Sequence, residues 1–357
     1  MASPDQTHTF DAVVIGGGQA GLACGYYLRR AKLDYIILDD QDEPGGAWRH
    51  TWPSLRLFSP ASFASLPGWF MPEYDSGGFP PREHVLDYLR RYEHRYQLPV
   101  RRPVTAHSVS SDASGFAVET SGGIFQGRTI ISATGTWRQP HCPTYPGLAD
   151  FSGRHIHSAH YTGPDSFVGQ RVAVVGGGNS GAQIAAELAP LTTLSWLTSR
   201  PPRYLPDDVD GRILFQVATE YARNVTAGRP AGNKITDLGD IVAVPEVRKA
   251  RDAGILVAEP MFERITADGA AWADGTTRAF DTIIWCTGFR PAVGPLKDLH
   301  LRTIDGHIAT HGTQAAADSR VFLVGYGDWT GPASATLLGV GRTARDTVAA
   351  IQRYLGA

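Results

Sequence analysis

Two glycine-rich stretches of this sequence have the residue types and the spacing that can bind phosphates. GGGQAG occupies residues 16–21 and GGGNSG occupies residues 176–181, so the pattern Gly-x-Gly-x-x-Gly occurs twice, about half the chain apart. In such a loop the first glycine permits a tight turn, the second lets a pyrophosphate approach the backbone, and the third allows close helix packing. The first N–H groups of the following helix then face the phosphates. The sequence therefore predicts two dinucleotide sites.

Each loop lies within the sequence pattern of a βαβ unit. A β-branched run at 13–15 precedes the first loop, a helical pattern follows it, and a second apolar run ends at Asp39. A strand pattern at 171–175, a helical segment and a strand that ends near Ser199 surround the second loop in the same order. We therefore predict an α/β protein with two Rossmann-like dinucleotide-binding domains.

The two units differ in the residues at the end of their second strand. Asp39 offers a carboxylate that can accept hydrogen bonds from both ribose hydroxyls of an adenosine, whereas Ser199 and Arg200 stand at that place in the second unit, with Arg203 nearby. A guanidinium and a hydroxyl suit a ribose 2′-phosphate, which a carboxylate repels. The first site therefore suits FAD or NAD and the second suits NADP. Together they indicate a flavoprotein of the disulfide-reductase-like fold that takes hydride from NADPH, with NADH as a less favoured donor.

Two apolar strands that end in Thr-Gly turns indicate where the chain crosses between the domains. RTIISATGT spans 128–136 and includes Thr134, and DTIIWCTGF spans 281–289. Asp328 lies at the predicted tip of the last strand, before a C-terminal helix whose N-terminus would face the electron-rich edge of a reduced flavin. The predicted division is an FAD-binding domain of residues 1–162 plus 285–357 and an NAD(P)-binding domain of residues 163–284.

The composition excludes several classes of function. The chain has 357 residues, 42% of them hydrophobic and 19% charged, which is an ordinary globular balance. A net charge of -2 gives no reason to expect nucleic acid or an anionic membrane as a partner. The three cysteines form no CxxC pair, so we expect neither a disulfide framework nor a metal site. With no long apolar run and no signal-peptide pattern, we expect a cytoplasmic protein. A homodimer is expected only because such dimers are common.

Further motifs resemble those of the flavin-containing monooxygenases, and more closely their short bacterial branch. PGGAWR at 44–49 is similar to the family's Gly-Gly-x-Trp segment, and includes Gly46 and Trp48. FSGRHIHSAHY at 151–161 matches the fingerprint FxGxxxHxxx(Y/F), which in the related Baeyer–Villiger monooxygenases ends in Trp. Within that string we expect His157 to be a linker between the domains rather than a proton donor. The resemblance extends over nearly the whole chain.

The resemblance implies a reaction cycle. NADPH would reduce FAD, and the reduced flavin would capture dioxygen, the co-substrate, as a C4a-hydroperoxide. The distal oxygen would then pass to a soft nucleophile such as a small hydrophobic sulfide or amine, or the adduct would attack a small ketone. The residues expected at FAD are Gly16, Gly18, Gln19, Gly21, Asp39, Gly46, Trp48, Thr134 and Asp328. Those expected at NADP are Gly176, Gly178, Asn179, Ser180, Gly181, Ser199 and Arg200.

One departure from the family bears on catalysis. Larger members carry an Asn shortly after the Gly-Gly-x-Trp segment, near the reactive flavin edge, and Phe58 aligns with it. An Asn side chain can hydrogen-bond a peroxide, and a phenyl ring cannot. We therefore expect a shorter-lived adduct and some loss of reducing equivalents as hydrogen peroxide. The alternative is that Phe58 is core packing.

Three other functions stay open on the sequence. A disulfide reductase of the thioredoxin-reductase kind shares both nucleotide folds but needs a redox dithiol, for which the chain offers only the isolated Cys142. An NAD(P)H-dependent reductase or oxidase would use the same cofactors without oxygenating a substrate. A flavin-binding sensor would show negligible NADPH turnover with every trial substrate.

Overall fold

The apolar runs beside both glycine loops form buried parallel strands. The computed structural model describes residues 8–74, 78–207, 217, 220, 240–304 and 306–356. The strands are β1 Thr9–Ile15, β2 Tyr35–Leu38, β3 Val100–Arg101, β4 Ala106–Ser111, β5 Phe116–Thr120, β6 Gly123–Ser132, β7 Arg154–His157, β8 Arg171–Val175, β9 Thr193–Thr198, β10 Ala258–Pro260, β11 Arg264–Thr266, β12 Gly269–Ala271, β13 Thr277–Ala279, β14 Thr282–Trp285, β15 Thr303–Ile304, β16 His307–Ile308, β17 Thr310–His311, β18 Gln314–Ala315 and β19 Val321–Leu323. The α-helices are α1 Gln19–Arg30, α2 Arg82–Tyr96, α3 Asn179–Leu188, α4 Pro245–Asp252 and α5 Val340–Leu355.

The first sheet is built around β1. Its order is β17-β18-β19-β6-β1-β2-β3, and the antiparallel pair β4 and β5 extends from β6. β1 pairs in parallel with β2 on one side and with β6 on the other. Ala12, Val13 and Val14 are fully buried, because helices and further chain cover both faces of a parallel sheet. The direction of the winding reverses at β1, and such a switch point is where α/β sheets bind ligands.

The second sheet repeats the plan. Its order is β10-β9-β8-β14-β7, and all four pairings are parallel. α3 connects β8 to β9 as α1 connects β1 to β2. Beside this sheet, β11, β12 and β13 form a small antiparallel sheet. The fold class predicted from the two glycine patterns is confirmed.

The predicted domain boundaries stay a prediction, and β7 lies outside the range predicted for the NAD(P)-binding domain. This strand precedes residue 163, the predicted start of the NAD(P)-binding domain, yet it pairs in parallel with β14 of the second sheet. The fingerprint string therefore contributes a strand to that sheet.

Within the described ranges, no helix combines the length and the apolar character needed to cross a bilayer.

Candidate functional site

The two glycine loops have the same construction. Gly16 has a φ of +111°, and a Cβ atom there would overlap with the carbonyl oxygen of Ala133, at the end of β6. Gly176 has a φ of +132°, and a Cβ atom there would overlap with the carbonyl oxygen of Cys286, just after β14. In both loops the third glycine, Gly21 or Gly181, packs against the carbonyl of the first. Side chains at these positions would push the loops away from the strands.

A cavity of about 530 Å³ opens at the carboxyl ends of β1, β2 and β6. Its volume falls within the range of about 300–1,000 Å³ that is typical of ligand pockets. The backbones of Gly18 and Gly46 meet there so closely that a Cβ on Gly46 would lie 2.7 Å from the Cα of Gly18. Among the residues predicted at FAD, those that line the cavity are Gly16, Gly18, Gln19, Asp39, Gly46, Trp48 and Thr134.

Asp39 is held by a buried charge network. Nε of Arg102 donates to its Oδ2 at 2.7 Å, and the two Nη atoms of Arg102 donate to Glu93 on α2 at 2.6 and 2.7 Å. Burial alone would lower the pKa of Arg102, but its hydrogen bonds with Glu93 and the charge of Asp39 outweigh burial and raise it. The guanidinium therefore stays charged, and Asp39 keeps acceptor capacity for a ribose. The sequence analysis missed Arg102 and Glu93, because no local pattern links residues 63 positions apart.

Hydrogen bonds hold three of the residues that line the same cavity, namely Gln19, Trp48 and Thr134. Nε1 of Trp48 donates to Oε1 of Gln19 at 3.0 Å, and Nε2 of Gln19 donates to the carbonyl of Ala335 at 2.6 Å. These bonds tie the start of α1 to the Gly-Gly-x-Trp segment and to the chain before α5. Oγ1 of Thr134 donates to the carbonyl of Ala292 at 2.8 Å.

Three predicted site residues, Gly21, Phe58 and Asp328, do not line this cavity. Asp328 begins a short 3-10 helix and is exposed. Phe58 is partly buried and packs against the core of the second sheet, whereas Leu55 of the same loop lines the cavity. Their roles toward the flavin remain predictions.

A second cavity, of about 410 Å³, lies over the other glycine loop. Gly178, Ser199 and Arg200 line it, as predicted for NADP, and so does Asp240, which the sequence analysis did not single out. Gly178 faces open space, with nothing within 4 Å of an added Cβ, so a ligand can approach its backbone. Among the remaining predicted residues, Ser180 lies in the first turn of α3.

The fingerprint histidine joins the end of β7 to the Thr-Gly turn after β14. Nε2 of His157 lies 2.9 Å from the carbonyl oxygen of Gly288, and its Nδ1 accepts from the N–H of Ala159 at 3.0 Å. These partners require a neutral ring that carries its proton on Nε2. Burial lowers the pKa of His157, which favours the same neutral form. Both ring nitrogens of His157 are engaged and the residue is 2% exposed, so it holds the end of β7 against the turn after β14, while its expected role as a linker between the domains stays a prediction.

The cysteines do not form a redox centre in the described structure. Cys24, Cys142 and Cys286 are all free. Loss of solvation by neighbouring atoms raises the pKa of the Cys142 thiol, which keeps it protonated and weakly nucleophilic. This counts against the disulfide-reductase alternative. The residues present instead fit two dinucleotides: glycine backbones that ligands can approach, a ribose acid at one site, and a guanidinium with a hydroxyl at the other.

Comparisons with known proteins agree with this geometry. The model of the pyridine nucleotide-disulphide oxidoreductase family matches residues 13–205. An oxidoreductase of Geobacillus kaustophilus described as CzcO-like is 30% identical over 79% of this chain and 81% of its own. The structure of the flavin-containing monooxygenase from Stenotrophomonas maltophilia is 47% identical over 97% of this chain and 99% of its own, with a TM-score of 0.88. A Baeyer-Villiger monooxygenase of Streptomyces coelicolor is 28% identical over 97% of this chain and 70% of its own.

Replacing Arg102 tests the network that holds Asp39. Arg102→Met leaves two largely buried carboxylates without their cation, and removing one partner of a buried ion pair costs about 3–5 kcal/mol. We expect the free energy of unfolding to fall by about that amount, and the flavin content of the purified protein to fall with it. Denaturant titration and the ratio of flavin to protein absorbance measure the two effects.

Arg101→Met is the matched control for Arg102→Met, because Arg101 is the exposed residue that precedes Arg102, at the end of β3. It should leave both measurements unchanged. Arg102→Lys keeps the charge but loses the bidentate contact, so its stability should lie between wild type and Arg102→Met. Unchanged stability and unchanged flavin content in Arg102→Met would contradict the proposed role of the network.

The buried neutral His157 predicts a dependence of stability on pH. Because its pKa is lower in the folded than in the unfolded chain, the unfolded chain binds more protons as the pH falls below about 6.5. The contribution of the neutral His157 to the free energy of unfolding is therefore fully present above that pH and is lost as the pH falls further. We expect the Tm of the wild type to fall more between about pH 7.5 and about pH 5.5 than the Tm of His157→Gln. His155→Gln, at an exposed position of the same strand, should behave like the wild type.

Proposed function

The chain belongs to the pyridine nucleotide-disulphide oxidoreductase family and is a flavin-containing monooxygenase, and from this premise we propose that it oxygenates a small hydrophobic molecule at a soft nucleophilic atom. Its cofactors are FAD and NADPH, and dioxygen is the co-substrate. Sulfoxidation is the favoured reaction. Amine N-oxidation and Baeyer–Villiger oxidation of small ketones are further reactions of the same chemistry.

The observation that carries the proposal is the opposite charge of the strand-end residues, Asp39 and Arg200, beside two glycine loops of the same construction. In the first site, Asp39 would accept the hydroxyl groups of the FAD ribose, and Gly16 and Gly18 would leave room for the pyrophosphate. In the second, Ser199 and Arg200 would hold the 2′-phosphate of NADPH. When bound, the flavin supplies the hydride acceptor and the oxygen-transfer chemistry.

The described side chains would position ligands and exclude water rather than move protons. His157 is neutral and has both ring nitrogens occupied, so it is unsuited to act as an acid at the flavin. Trp52 and Phe58 pack in the apolar core beside the second sheet, and Leu55 of the same loop lines the first cavity, which favours a hydrophobic substrate. A dry, shaped site also protects reactive intermediates from water.

Product analysis tests the proposed reaction. Purified yellow protein is supplied with NADPH, oxygen and an aryl methyl sulfide, and the loss of NADPH is followed together with sulfoxide and hydrogen peroxide. We expect sulfoxide to form in step with NADPH loss. NADPH loss matched by peroxide alone, with an amine and a small ketone tried as well, would indicate an oxidase. Negligible NADPH loss with all three would indicate a sensor.

The role of Phe58 is tested by the fraction of NADPH that is lost as peroxide. If the phenyl ring stands where an amide would stabilise the oxygen adduct, Phe58→Asn should release a smaller share of peroxide than the wild type. Phe79→Asn is the matched control, since Phe79 is a partly buried phenylalanine on the same core. A lower Tm in both variants, with no decrease in peroxide for Phe58→Asn, would identify Phe58 as a packing residue.

A further inference from the structure

The second cavity contains a carboxylate beside the groups that are expected to bind a phosphate. Oδ2 of Asp240 lies 3.2 Å from Nη2 of Arg200 and 3.0 Å from Nε of Arg203, and its Oδ1 lies 2.9 Å from Nη2 of Arg203. Asp240 lines the same cavity as Ser199 and Arg200. One acid therefore engages both guanidiniums that the sequence offers to a 2′-phosphate.

The backbone around Asp240 fixes this acid in place. Its N–H donates to the carbonyl of Arg203 at 2.8 Å, and Nδ2 of Asn179 donates to its carbonyl at 3.3 Å. Oδ1 of Asn179 also accepts from the N–H of Val242 at 2.9 Å. Because Asn179 is the first residue of α3, the segment that carries Asp240 is tied to the start of the helix that follows the glycine loop. The side chain of Asp240 is only 20% exposed.

This arrangement affects the two nicotinamide coenzymes in opposite ways. A 2′-phosphate that enters the cavity must compete with Asp240 for the guanidiniums, and it is repelled by the carboxylate. A free 2′-hydroxyl group carries no charge and can donate to the carboxylate, as it does to the strand-end acid of NAD-binding Rossmann units. The second unit has Ser199 at the strand end, where the first unit has an acid. Asp240 supplies a carboxylate to this site from a distant segment of the chain.

We propose that Asp240 is a specificity-determining residue that weakens the preference of the site for NADPH and makes NADH usable. This inference rests on the proposed assignment of the second glycine loop to the nicotinamide coenzyme. The acid acts by occupying Arg200 and Arg203 in the absence of a phosphate and by accepting the ribose hydroxyl of NADH.

Binding of nucleotide fragments tests the proposal without depending on turnover. The FAD-loaded protein is titrated with 2′,5′-ADP and with 5′-AMP by isothermal calorimetry. We expect Asp240→Asn to bind 2′,5′-ADP about tenfold more tightly than the wild type and 5′-AMP no more tightly. The ratio of kcat/KM for NADPH to that for NADH should rise in parallel. Unchanged or weaker binding of 2′,5′-ADP would overturn the proposal, since Asp240 would then serve to hold the arginines ready for the phosphate.

A matched variant separates this local effect from a change in net charge. Asp207 pairs with Arg251 through two contacts of 2.8 Å, and it does not line the cavity. Asp207→Asn removes the same charge and should leave the affinity for 2′,5′-ADP unchanged. An equal gain in Asp207→Asn and Asp240→Asn would overturn the proposal, because the gain would then come from the overall charge.

Arg200→Ala distinguishes failure of this inference from failure of the site assignment. If Arg200→Ala leaves the affinity for 2′,5′-ADP unchanged, the second glycine loop is not the 2′-phosphate site and both proposals fall. If Arg200→Ala weakens binding while Asp240→Asn does not strengthen it, the site assignment stands and only the role of Asp240 fails.

Discussion

Each glycine loop is closed by a carbonyl group from a strand that lies far away in the sequence. Ala133 at the end of β6 meets Gly16, and Cys286 after β14 meets Gly176. The contact leaves no space for a Cβ atom. The loop and the crossing strand can therefore come this close to each other only if the loop residue is glycine. Both cavities depend on this approach, because it brings the Thr-Gly turns beside the loops and orients the helix starts that would face the phosphates.

Each site pairs a carboxylate with a guanidinium, but the group that stands at the strand end differs between the two sites. At the first site the strand end supplies the carboxylate, Asp39, and a distant residue, Arg102, supplies the guanidinium. At the second site the strand end supplies Arg200, and Asp240 supplies the carboxylate. In our proposal the group at the strand end would determine which ribose is preferred, and at the second site Asp240 would weaken that preference. The first pair is largely buried, with exposures of 10% and 4%, so it is screened less than the second.

Features that depend on neighbouring residues in the chain could be predicted from the sequence. Features that depend on contacts between residues far apart in the chain could not. The glycine loops, their strands and the strand-end residues are local patterns, and the described structure contains them as predicted. Arg102 and Asp240 reach their partners only through tertiary structure, so no spacing rule points to them. The sequence placed Asp328 at the tip of the last strand, but β19 ends at Leu323, and Asp328 begins a short 3-10 helix in which it is exposed. Phe58 fits the family register, yet its environment depends on the packing of the two sheets.

The fingerprint string is held against the helix of the second glycine loop by a polar contact of its last residue. Burial and the neighbouring carboxylate of Glu187 raise the pKa of Tyr161, so its hydroxyl stays protonated and donates to Glu187 on α3 at 3.0 Å. Ser54 donates to the other oxygen of Glu187 at 2.7 Å. The loop that brings Leu55 to the first cavity is thereby tied to the helix that begins at the second. Glu187 thus joins the fingerprint string, through Tyr161, and the loop of the first cavity, through Ser54, to the helix that follows the second glycine loop.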